Sequence, residues 1–119
     1  MPFKILVTGG REFRDIDLLK LSLSALRDIL GTDVILGHGA CKGLDLLAEA
    51  WAKANGWDTK PYPANWTLYK NAAGPIRNSF MLDDFNPDLV LSYPGNGGTK
   101  DMSDKAFKAH KTIWYVNRL

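Results

Sequence analysis

The residues best suited to chemistry in this chain sit where glycine meets a cation, an amide or a hydroxyl. Pro94-Gly95-Asn96-Gly97-Gly98-Thr99 follows the apolar run Leu89-Val90-Leu91 and leads into a helical pattern beginning at about Thr99. Its glycines let the backbone take positive φ and approach a ligand closely. A helix start behind such a loop presents unpaired N–H groups and a partial positive charge, which together suit a phosphate. Thr99 can cap that helix or donate its hydroxyl to an anion. Gly9-Gly10-Arg11 ends a second apolar run and places a guanidinium where it can grip a phosphate with its planar fork. The competing role for Arg11 is at the surface, solvated or paired with Glu12 or Asp15.

Gly37-His38-Gly39-Ala40-Cys41-Lys42-Gly43 is a third glycine turn. It lacks the terminal Lys-Ser/Thr of a phosphate-binding P-loop and the spacing of a dinucleotide fingerprint. Its backbone and Lys42 can still reach a phosphate, with His38 as a side-chain contact. Asp45, at the start of the helix that follows, either favours the helix dipole or accepts from a ribose hydroxyl; both roles stay open. Gly74-Pro75-Ile76-Arg77-Asn78 puts a guanidinium and an amide in the first turn of another helix. Ile76 and Phe80, four residues apart, are expected to face the core, which leaves Arg77 near the rim. Arg77 is the leading single candidate for ligand contact; its alternative is an ion pair with Asp83 or Asp84. Trp57, Tyr62, Trp66 and Tyr69 can stack on a base, but aromatics in an irregular stretch are expected to pack on the core. Cys41 has no base beside it in sequence, so a nucleophilic role is not expected. No cluster has metal-ligand spacing, and no Ser-His-Asp order with a nucleophile elbow is present.

Alternating strands and helices must position these residues. Phe3–Thr8 reads as a strand, followed by a helix opened by Asp15 or Asp17, carrying Ile16, Leu19, Leu23, Leu26 and Leu30, and closed by Gly31. A strand over 33–36 precedes a helix with Leu44, Leu47, Ala48, Trp51 and Ala52 on one side and Asn55-Gly56 as its stop. Strands are expected over 59–62, 89–92 and 112–116, helices over 75–85 and 100–110, and 64–74 is the least regular part. Short apolar strands alternating with helices predict a Rossmann-like three-layer α/β/α fold with a mostly parallel sheet of about five strands. In the order 3-2-1-4-5 the switch point lies between the first and fourth strands, where ligands bind beyond the strands' carboxyl ends.

The length of 119 residues suits a single domain, 1–119, and 45% hydrophobic with 24% charged residues is an ordinary globular balance. The net charge of +2 does not argue for nucleic acid or an anionic membrane. One cysteine leaves no internal disulfide. With no apolar run long enough for a signal peptide or membrane span, a cytoplasmic protein without membrane contact is expected.

With these motifs in line, the chain resembles the SLOG superfamily, named for the Smf/DprA and LOG proteins, and more narrowly its YspA/YpsA-related branch of bacteria and phages. The resemblance rests on Val7-Thr8-Gly9-Gly10-Arg11, Gly37-His38-Gly39-Ala40 with Gly43 and Asp45, Ala73-Gly74-Pro75-Ile76-Arg77-Asn78 with Met81, and Pro94-Gly95-Asn96-Gly97-Gly98-Thr99. It implies a Rossmann-like domain binding a nucleotide or nucleotide-derived ligand such as ADP-ribose, often as a homodimer, with no further cofactor required. LOG members are phosphoribohydrolases that use an arginine followed by a methionine four residues later, similar to Arg77 and Met81, and a glutamate three residues after the loop threonine. Here Asn96 stands where the loop pattern has glycine, and Met102 stands where it has the glutamate. Asp101 is one residue earlier, about 100° round a helix. The resemblance therefore implies a sensor or sequestering protein first. A hydrolase using Arg77 with Asp101 or Asp84 is the alternative, and a single-stranded DNA binder like DprA is the less favoured third.

Overall fold

The apolar runs become five strands, and the computed structural model, which describes residues 1–118, joins them into one parallel sheet in the order β3-β2-β1-β4-β5. The strands are β1 (Phe3–Thr8), β2 (Val34–His38), β3 (Asp58–Pro61), β4 (Leu89–Ser92) and β5 (Ile113–Tyr115). Leu6 of β1 pairs with Gly37 of β2, and Thr8 pairs with Ser92 of β4, so the loops after β1 and β4 leave the sheet side by side. The switch point thus lies between β1 and β4, as the element order predicts.

Alternation along β1 builds both faces. Ile5 and Val7 enter a core with Leu19 and Leu23 of helix α1 (Ile16–Leu30) and Leu44 and Ala48 of α2 (Leu44–Ala54). Leu6 enters the opposite core with Met81 and Phe85 of α4 (Ala73–Phe85) and Met102 and Ala106 of α5 (Gly97–Lys108). Asp15 caps α1 by accepting from Leu18 N at 3.2 Å, and Gly31 (φ 76°) ends it; a cap of this kind contributes about 1 kcal/mol.

Three local expectations change. The irregular stretch contains a one-turn helix, α3 (Trp66–Tyr69), and a 3₁₀ turn (Lys70–Ala72). Asn65 Oδ1 caps α3 by accepting from Leu68 N at 3.0 Å. Helix α5 begins at Gly97, two residues before Thr99, so Thr99 sits inside the first turn and does not cap it. On α4 the buried positions are Ala73, Gly74, Asn78, Met81 and Phe85, while Ile76 and Phe80 are 42% and 61% exposed. Met81 and Phe85, with Leu82 beside them, pack into the sheet's second core, and this rotation of α4 turns Ile76 and Phe80 outward. Among the described residues, no helix is long and apolar enough to cross a membrane.

Candidate functional site

The loops after β1, β2 and β4 meet the first turns of α4 and α5 around a crevice of about 490 Å³. That volume lies within the usual range of small-molecule sites, roughly 300–1,000 Å³. Gly9 and Arg11 from the first loop, Gly39 and Asp45 from the second, and Arg77 and Asn78 from α4 line it. Asn96, Gly97, Gly98, Thr99 and Asp101 close the side formed by α5. Asn96 caps α5 without a side-chain hydrogen bond, and the first N–H groups of any α-helix have no partner within it.

Cys41 also lines the crevice, whereas the loop glycines Gly10, Gly37, Gly43 and Gly95 do not and serve the packing of the loops. Gly10 N donates to Pro94 O at 2.9 Å, and Gly10 O accepts from Leu44 N at 3.1 Å, which ties all three loops at one residue. Gly95 lies against this junction: a Cβ there would collide with Thr99 Oγ1 and stand 2.8 Å from Gly10 N. Gly43 has φ +84°, and a side chain on it would strike the Gly10 carbonyl. Gly37 backs onto the Phe85 ring on the far side of β2.

His38, expected as a ligand contact, is fully buried. Its Nδ1 accepts from Ala40 N at 3.0 Å, so Nε2 carries the proton and donates to Glu49 Oε1 at 3.0 Å. That hydrogen bond, the largest influence on Glu49, holds its carboxyl below the usual range. Both ring nitrogens of His38 are used in holding the β2–α2 turn, and Ala40 takes φ 58° to complete it. The His38 ring thus has no free nitrogen for a ligand, and neither His38 nor Ala40 lines the crevice.

Asp45 is only 6% exposed. Its Oδ2 accepts from Gly39 N at 3.0 Å and Cys41 N at 3.3 Å, while Oδ1 is buried without a partner. Burial pushes this carboxyl above the usual range, against the pull of the Cys41 and Gly39 N–H groups, His38 and Arg77. Arg77 lies across Gly39: its guanidinium donates to Gly39 O, to Tyr62 O at 3.2 Å and through Nε to Asn78 Oδ1 at 2.9 Å. The alternative pairing of Arg77 with Asp83 or Asp84 is not formed. Asp84 instead accepts from Tyr62 Oη at 2.6 Å and pairs with Lys60 at 3.1 Å, outside the crevice.

Asn78 donates to Gly98 O at 3.3 Å and to Asp101 Oδ2 at 3.0 Å, linking α4 to the α5 turn. Asp101 also pairs with Lys105 at 2.9 Å. Burial works to raise its carboxyl, but the hydrogen bonds from Lys105 and Asn78 and the Lys105 charge hold it below the usual range. Met102 is fully buried in the core beneath α5. The expected geometry is thus reversed: position 101 faces the crevice, and position 102, where a glutamate was expected, faces the sheet. Thr99 is 8% exposed, and its Oγ1 has no partner.

Arg11 is exposed, with its guanidinium carbon 5.2 Å from the centre of the Trp66 ring. Its alternative partner Asp15 is taken by Arg118, at 2.7 Å from Nη2 to Oδ1. Among the described residues, neither Arg11 nor Arg77 pairs with a carboxylate. Trp66, able to stack on a base but expected to pack on the core, lines the crevice, as does Asn71, which was not expected there. A local signal for the placement of both is Asn65, a strong capping residue, which announces a helix start immediately before Trp66.

The five-stranded parallel sheet with helices on both faces, and a crevice at its switch point, define a Rossmann-like α/β domain. The sequence matches the YAcAr family (YspA, cpYpsA-related SLOG family) over residues 3–69, more than half the chain, and the protein belongs to that family. Family membership points to a nucleotide-related ligand. The match covers the β1 and β2 loops and Asp45, whereas Arg77 and the α5 turn lie beyond it. No curated protein matches the sequence. Among solved structures, the X-ray structure of TM1055, Northeast Structural Genomics Consortium target VT76, is similar in fold. It aligns with a TM-score of 0.69 and 19% identity, over 93% of this chain and 72% of that one.

Proposed function

We propose that the crevice binds a nucleotide or nucleotide-derived ligand, of the nucleoside monophosphate or ADP-ribose type, and that the protein senses or sequesters it. The supporting observation is a cluster of cations without carboxylate partners and of unpaired buried oxygens in one place. Two guanidinium groups lack carboxylates, Thr99 Oγ1 lacks a donor or acceptor, and Asp45 Oδ1 lacks a donor. A buried polar atom left unpaired costs about 1–3 kcal/mol. A phosphate would satisfy Thr99, the free N–H groups of the α5 turn and the arginines. A ribose hydroxyl would satisfy Asp45. The test is a thermal-shift screen with AMP, ADP, ADP-ribose, NAD and cytokinin-type monophosphates, followed by chromatography of each mixture. Stabilisation with the ligand recovered intact is expected, because a ligand that binds only the folded state raises its stability, by about 2.7 kcal/mol at a hundred times Kd. No shift with any of these ligands would overturn the proposal.

One observation favours a second reading, phosphoribohydrolysis: Asp101 lines the crevice and is held ionised, as a base acting on water needs to be. Arg77 would then orient the phosphate, and Asp84, outside the crevice, would have no part. Free base and ribose phosphate in the chromatogram, abolished in Asp101→Asn, would establish this reading; under the first, Asp101→Asn leaves affinity nearly unchanged and no product forms.

A further inference from the structure

Trp57 and Trp66 use the same side chain in opposite ways. Trp57 is buried in the core beneath α1 and α2, donates through Nε1 to Gly31 O at 2.9 Å and meets the edge of Trp51. Trp66 belongs to neither core, makes no hydrogen bond through its indole nitrogen among the described residues, and is 45% exposed on the wall of the crevice. The tip of its ring reaches over the first turn of α4, where a Cβ on Gly74 would be in ordinary contact at 3.5 Å from Cη2. Capping by Asn65 fixes the start of the short helix that carries it. Holding a large apolar ring half in water beside charged groups gains little for folding.

Such a ring is suited to stacking, and one of its faces is already approached by a cation: the guanidinium carbon of Arg11, another crevice residue, lies over it at 5.2 Å from the centroid. Resting on the nucleotide reading above, we infer that Trp66 is the base-recognition residue of the site: the ligand's planar base stacks on the indole while its phosphate is held at the α5 turn. Asp45, which lines the same crevice and has one buried oxygen without a partner, takes the hydroxyl-bearing sugar between them. The ligand class is thereby a nucleotide with its base in place, as opposed to a bare sugar phosphate. Stacking on an indole tolerates all four bases, so specificity among them is expected to be modest.

The experiment is calorimetric titration of wild type, Trp66→Ala and Trp66→Phe with AMP, GMP, CMP and UMP, and with ribose 5-phosphate as the ligand without a base. Wild type should bind the best monophosphate at least tenfold more tightly than ribose 5-phosphate. Trp66→Ala should lose about 10–100-fold for that monophosphate, in line with the usual effect of removing a base-stacking aromatic. Its affinity for ribose 5-phosphate should stay within about twofold of wild type, and Trp66→Phe should retain most of the preference. Equal binding of the monophosphate by wild type and Trp66→Ala would overturn the stacking role while leaving the nucleotide reading intact. Equal losses for both ligands in Trp66→Ala, with Trp66→Phe restoring both, would make Trp66 a prop for the loop and also overturn it. Failure of wild type to bind any of the five would overturn this inference, and failure to bind ADP-ribose, ADP and NAD in the same titration as well would overturn the nucleotide reading with it.

Discussion

Replacing Thr99 with valine separates what the crevice gives to folding from what it gives to a ligand. Thr99 is buried, Oγ1 makes no hydrogen bond, and both residues are β-branched, so side-chain entropy in the helix is nearly the same. Removing an unpaired buried hydroxyl recovers about 1–3 kcal/mol, and burying one more methyl adds about 0.8 kcal/mol. Against this, Oγ1 packs close to Gly95, and the larger methyl crowds that backbone at a cost of about 1–3 kcal/mol. The net expectation is a protein as stable as wild type or about 1 kcal/mol more stable, equivalent to a rise in Tm of about 3–5 °C at this size. Affinity for AMP should fall at least tenfold, since a hydrogen bond to a charged phosphate contributes about 1.5–3 kcal/mol. Urea unfolding gives the first quantity and calorimetric titration the second. A loss of more than 1 kcal/mol of stability would mean that the hydroxyl serves the fold, and unchanged affinity in a folded variant would remove Thr99 from the phosphate site.

Asp45→Asn tests the buried carboxylate through pH. Because the folded-state pKa of Asp45 is raised above 3.8, its favourable contribution is full at low pH and is lost as pH rises through the folded value. Urea unfolding of wild type and Asp45→Asn from pH 4 to 8 should therefore show wild type losing ground relative to the variant as pH rises; a constant gap would refute the burial argument. Met102→Glu restores the carboxylate at the position where the hydrolase pattern has one, but here places it in the core between α5 and the sheet. It should destabilise the protein by about 3–5 kcal/mol and create no turnover of nucleoside monophosphates; a stable, active variant would show that position 102 can reach the crevice. Gly43→Ala should cost at least 1–2 kcal/mol by thermal unfolding, because the residue has φ +84° and no room beside the Gly10 carbonyl.

Much of this protein is legible along the chain because its determinants are local. Apolar runs such as Ile5-Leu6-Val7 and Leu89-Val90-Leu91 read as buried strands, and Asp15 and Gly31 mark the ends of α1 by side-chain capping and backbone freedom. Regular alternation then leaves few ways to order the sheet, and the switch point follows from that order. The three glycine loops follow β1, β2 and β4, so that order also places them at one end of the sheet. Which loop atoms face outward is a different kind of fact. Gly10, Gly43 and Gly95 are spent on contacts with one another, His38 on Glu49 and Ala40, and none of these partners is near in sequence except Ala40. The rotation of α4, which turns Ile76 and Phe80 outward, and of α5, which turns Asp101 to the crevice and Met102 to the core, depends on which side chains best fill the space above β1 and β4. A helix pattern gives angles between residues but no zero for them; packing against the sheet supplies that zero. Trp66 shows the same division most clearly, since the capping by Asn65 is written in the sequence, whereas its place on the crevice wall comes from the approach of α3 to the first turn of α4.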